Sequence, residues 1–137
     1  MEPEEIVKLF IEEMKEIELD AFEKHKLIIC DNQYTEDPEP FFESFNKKVR
    51  QVYFKYCTSR NIDKACLRSF GNPPDYDPKT QSIIEKVKLS SNRIRLATSS
   101  RFEFQKYNYL LIKRHGQWRI DSRVSVFSDG KTIKGLL

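Results

Sequence analysis

"YLLIKRHGQWRIDSRVSVF", residues 109–127, decides the fold. Two apolar runs flank "RHGQ", and a short polar stretch with a glycine between such runs predicts a β-hairpin. Past the turn, strand side chains alternate between two faces. Trp118, Ile120, Val124 and Val126 therefore share one side, and Arg119, Asp121 and Arg123 the other. The expectation is a half-buried hairpin anchored by Trp118 and Ile120, with Arg119 and Arg123 turned toward a partner.

The period of two extends outward from this hairpin. Residues 82–90 predict a strand, "SSN" a turn, and residues 93–99 alternate Ile94, Leu96 and Thr98 against Arg93, Arg95 and Ala97. Residues 101–114 predict the long strand that enters the hairpin. "SDGK" turns the chain once more and leaves Ile133, Leu136 and Leu137 to pack at the end.

Upstream the period is helical. Ile6, Phe10, Met14, Ile17, Ala21 and Ile28 recur every three to four residues, which predicts an amphipathic helix over 3–29 with Pro3 at its first position. Glu5, Glu12, Glu16, Asp20 and Glu23 gather on a separate face of it. "DNQYTEDPEP" breaks that helix, and Asp37 is the expected N-cap of a second one over 38–58 with an aromatic face of Phe41, Phe42, Phe45, Tyr53 and Tyr56. Residues 59–70 fit a short helix or a strand equally well. "GNPPDYDP", residues 71–78, admits neither a helix nor a central strand. Its aspartates are expected to bond their own backbone, and Tyr76 to plug the loop onto the core.

Helices followed by consecutive strands imply an α+β fold. A twisted four-stranded antiparallel sheet carrying two helices on one face makes a cone. A chain of 137 residues is expected to form a single domain, 1–137, with a helical part at 3–58, a connection at 59–80 and a sheet at 81–137. Ten Phe and six Tyr supply core material, and the net charge of +3 argues against disorder. That small sum conceals a split: residues 1–40 carry a balance of −9 and residues 41–137 one of +12. Such asymmetry bears on partners and association.

The opening "MEPEEIVKLF" has no signal-peptide pattern, no apolar run is long enough for a bilayer, and three cysteines without a CxxC spacing indicate neither a disulfide framework nor zinc. The expectation is a cytoplasmic protein with reduced thiols, no membrane contact and no cofactor.

The order of parts resembles that of bacterial immunity proteins with the nuclear transport factor two-like, cystatin-like fold. The resemblance rests on the acidic opening helix "PEEIVKLFIEEM", the loop "GNPPDYDP", the paired strands "YNYLLIKRHGQWRIDS" and the ending "SDGKTIKGLL", and it spans nearly the whole chain. It implies a protein that is not an enzyme and that binds and neutralises one cognate toxin of a polymorphic or contact-dependent growth inhibition system in interbacterial competition. Where that toxin is a nuclease, its cationic substrate site would suit clustered carboxylates. The partner-facing candidates are Glu12, Glu16, Asp20 and Glu23 on the helix, and Tyr107, Arg119 and Arg123 on the sheet.

Two other readings stay open on the residues. A small-molecule-binding domain or enzyme of the same cone would use Asp121 as a base and Tyr107 or Tyr109 as an oxyanion donor. A nucleic-acid-binding module would use the basic sheet, where Arg93, Arg95, Arg101, Lys106, Arg119 and Arg123 interleave with Phe102, Phe104, Tyr107 and Tyr109. No nucleic-acid motif accompanies that pattern. "DYDP" offers too few oxygens for calcium.

Overall fold

Two long helices lie across the concave face of a curved antiparallel sheet. The computed structural model describes residues 1–62 and 75–135. In chain order these form α1 (Pro3–Lys26), a small hairpin of β1 (Ile29–Cys30) and β2 (Gln33–Tyr34), α2 (Glu39–Tyr56) and one helical turn, α3 (Ser59–Ile62). The strands β3 (Ile83–Ser90), β4 (Arg93–Ser99), β5 (Gln105–Arg114), β6 (Gln117–Phe127) and β7 (Thr132–Gly135) follow. The five-stranded sheet runs in the order β3-β4-β5-β6-β7, each pair antiparallel. It has one strand more than expected, because "SDGK" turns the chain back far enough for β7 to pair with β6.

The expected apolar stripes supply most of the core; Val7 and Ile11 widen the first, while Ile28 falls past the end of α1 and outside the core. Val7, Phe10, Ile11 and Met14 of α1 meet Val49, Val52 and Tyr53 of α2 above Leu96, Tyr109, Leu111 and Ile120 of the sheet. Asp37 meets its N-terminal expectation in part: it stands two residues before the helix begins, with Pro38 at the cap position, and its carboxylate accepts the Glu39 N–H at 3.0 Å. The first helix stops short of residue 29 because Asp31 and Asn32, both at positive φ, close a two-residue hairpin there. His115 and Gly116, also at positive φ, close the β5–β6 hairpin by the same turn geometry. Within the ambiguous segment 59–70 the described part is helical, and residues 63–70, like 71–74 of the proline loop, lie outside the described residues. No described helix is long and apolar enough to cross a membrane.

Three expectations about the sheet are corrected. First, β6 does not alternate straight through. Leu110 faces Ser122 while Leu111 faces Ile120, so Asp121 is an extra residue in a β-bulge. One inserted residue exchanges the faces of everything beyond it. Trp118 and Ile120 keep the core side, but Val124 and Val126 pass to the outer face and Arg123 turns inward opposite Tyr109. Second, the expected strand 101–114 begins only at Gln105. The Ser100 hydroxyl accepts the Phe102 N–H at 3.0 Å and lies 3.1 Å from the Gln105 carbonyl, a local competitor of the ladder that bends residues 100–104 into a loop. Third, Ile133 does not pack at the end of the chain; it stands 59% exposed. Leu136 and Leu137 lie outside the described residues.

Candidate protein interface

The acidic face of α1 is real but partly neutralised from within. Asp20 accepts Lys48 of α2 at 2.8 Å and pairs with Lys24 at 3.1 Å, and these hydrogen bonds hold its carboxyl below the usual carboxylate range. Glu23 pairs with Lys26 at 3.2 Å. Of the four helix candidates, exposed Glu16 and half-buried Glu12 are the ones without an ion pair among the described residues.

The sheet candidates are placed differently from one another. Arg119 closes the C-terminal end of α2, its Nη1 donating to the Phe54 carbonyl at 3.0 Å and reaching those of Lys55 and Cys57 at 3.4 Å. A cation there complements the negative end of the helix dipole. Arg123, carried inward by the bulge, lies between the rings of Tyr76 and Tyr107 at 4.7 and 4.8 Å. It is thus not on the outer face with Arg119. Tyr107 is half-buried against the core and Tyr109 wholly buried, so the basic and aromatic residues of β5 and β6 do not form one stacking surface.

Ile120 is fully buried, while Trp118 is half-buried at the margin of the core beneath the Lys113 ammonium, 5.7 Å from its ring. Tyr76 is buried edge-on against Phe10 at 5.4 Å. Burial pushes the Tyr76 and Tyr109 phenols up, so both stay protonated. Asp121 does not face a cavity as a base. Thr58 Oγ1 donates to one carboxylate oxygen at 2.8 Å and Arg60 to the other at 2.6 Å, while Asn61 donates to its carbonyl at 3.0 Å. These bonds tie the end of α2 to the bulge. Asp77 behaves as a turn aspartate should, accepting the Lys79 N–H at 3.0 Å.

The centre of the cone, where a ligand would sit, is filled by Phe10, Tyr53, Tyr76, Tyr109 and the Arg123 guanidinium. Beside them lies Glu18, only 4% exposed, whose carboxylate accepts the Asp75 N–H at 2.6 Å. Desolvation pushes its pKa up to about 7 against the hydrogen bonds from Asp75 and Tyr76. The sequence did carry a signal for this residue: Glu18 stands four after Met14 and three before Ala21, inside the apolar stripe.

Phe102 and Phe104, which the sequence groups with Tyr107 and Tyr109 along one strand, belong instead to a separate exposed aromatic surface. The Ser100-bonded loop presents Phe102 and Phe104, 41% and 53% exposed, with rings stacked at 5.2 Å. Phe104 continues onto Phe127 of β6 at 6.4 Å. Ile84 of β3, 58% exposed, joins Phe102, Phe104 and Phe127 around a hollow of about 380 Å³, and Ile133 extends the surface on the other side of Phe127. Arg101, Glu103, Lys106, Asp129 and Lys131 stand around it. A contiguous apolar patch with a polar rim is the ordinary signature of a protein-binding surface.

A family model described as NTF2-fold immunity protein matches residues 2–135, nearly the whole chain. No curated protein and no solved structure matches it.

Proposed function

The chain belongs to the family of NTF2-fold immunity proteins, and from that premise we propose that it neutralises one cognate toxin domain of a polymorphic or contact-dependent system by binding it stoichiometrically. The observation that carries the surface assignment is the exposed Phe102–Phe104–Phe127 stack with Ile84 and Ile133. Interface energy concentrates in a few buried aromatic anchors ringed by polar groups, and this patch supplies such anchors. The packed interior supports the same reading, because a rigid scaffold loses little freedom when it docks. Glu12 and Glu16 add charge that speeds encounter with a basic toxin surface.

The test uses the full chain and the toxin domain encoded next to it. Wild-type protein binds that domain one to one and protects cells from it, with no turnover of the toxin. Phe102→Ser with Phe104→Ser lowers affinity by about a hundredfold, the scale of one or two lost anchors, while the melting temperature barely moves. Wild-type protein that neither binds nor protects would end the immunity reading; full affinity in the double variant would move the interface elsewhere.

A further inference from the structure

Resting on that toxin-binding reading, we propose that an extended segment of the toxin adds itself to the free edge of β3 and lodges an apolar side chain in the groove between α1 and the start of that strand. β3 is the first strand of the sheet and pairs only with β4 among the described residues. Seven of its eight residues are exposed. Its outer row of backbone N–H and C=O groups is therefore a template for another strand.

The groove beside it has a volume of about 360 Å³, its apolar walls Val7, Ile11, Pro78 and Ile83, with Glu4, Glu5 and Lys8 of α1 also lining it. Gln81, 8% exposed, also lines it. Gln81 Nε2 donates to the Asp75 carbonyl at 2.6 Å, which fixes the orientation of the amide. The amide oxygen is consequently turned away from Asp75, buried and without a partner among the described residues. An apolar pocket with one unmatched acceptor suits an apolar side chain whose own backbone, or a neighbouring side chain, brings an N–H. The groove and the aromatic surface both reach the start of β3, Ile83 lining the one and its neighbour Ile84 the other.

Charge selects the occupant. Lys86 and Lys88 face the same side of β3 as Ile83, opposite Leu96, Ile94 and Thr98 of β4. Lys86 is already paired with Glu4 at 2.8 Å, whereas Lys88 makes no ion pair among the described residues. A second copy of this chain paired antiparallel about the middle of β3, near Val87, would set Lys86 against the copy's Lys88, and like charges across strands repel. A segment with a carboxylate at that place is favoured instead. The bulge between Ile83 and Glu85 leaves Ile83 and Lys88 opposite Thr98 and Ile94, four positions apart on β4. A regular partner strand therefore carries its apolar residue and its acidic residue four positions apart on one face.

Hydrogen exchange of the full chain, alone and with the toxin domain, tests this directly. The amides of residues 83–90 should gain about tenfold or more protection on complex formation, the mark of new strand pairing. Ser82→Phe, which fills the groove from its exposed rim, and Lys88→Glu, which reverses a solvated charge, should each weaken binding about tenfold or more. Should the first variant fail to fold, the second still decides. Unchanged β3 protection together with wild-type affinity in Lys88→Glu overturns the proposal, and the immunity reading survives as long as toxin binding itself is seen. A toxin-free dimer by light scattering with β3 already protected overturns it in favour of a second copy.

Discussion

Replacing Glu18 by Gln should change the pH dependence of stability by a measurable and signed amount. In the native state desolvation holds the carboxyl at about 7, against 4.5 when exposed, the Asp75 and Tyr76 N–H groups and Arg123 opposing that rise. A group whose folded pKa lies above its unfolded one contributes stability that is complete below about 4.5 and lost as pH climbs through about 7. At about 1.36 kcal/mol per unit, the whole loss is about 3.4 kcal/mol, of which about 2.5 falls between pH 5 and pH 8. Gln cannot ionise, yet it keeps an oxygen for the Asp75 N–H, so it escapes that loss without opening a cavity. Urea denaturation of both proteins at unit steps from pH 5 to pH 8 measures the difference. The variant should gain on the wild type by about 2.5 kcal/mol across that range, a large part of the usual 5–15 kcal/mol of a domain. A flat difference would refute the reasoning. A difference that falls with pH would show that Arg123 and the backbone donors outweigh desolvation.

Asp121→Ala should cost about 2 kcal/mol by thermal or urea denaturation, because it takes the acceptor from the buried Thr58 hydroxyl and releases the half-exposed Arg60 guanidinium from the bulge. A cost under about 1 kcal/mol would mean that the bulge is held by the backbone alone. Glu12→Lys with Glu16→Lys should slow toxin association about tenfold at low salt and leave dissociation nearly unchanged, as rim charges do; an association rate unaffected by either change would remove the acidic helix from the encounter.

Much of the fold can be read in short windows. The apolar stripes of α1 and α2 need only a 3.6-residue period, and the β5–β6 hairpin needs only His115 and Gly116 between two alternating runs. The family follows from the same order of parts. The candidate surface is less legible. Phe102 and Phe104 look like any aromatic residues in a strand until the Ser100 hydroxyl is seen to hold the chain out of the ladder.

Arg123 shows the division most clearly. Alternation along "QWRIDSRVSVF" assigns it to the outer face with Arg119, and nothing within that stretch says otherwise. It turns inward because Asp121 is bulged out to meet Thr58, Arg60 and Asn61, groups about sixty residues away that reach it only when α2 has packed on the sheet. The two long helices, the four strands β3 to β6, their order and the fold class were legible in the sequence, since each depends on periodicity among neighbours. Which face of β6 meets the core, which carboxylate is buried and which aromatics stay in solvent were decided by the tertiary structure, since each depends on contacts between distant segments.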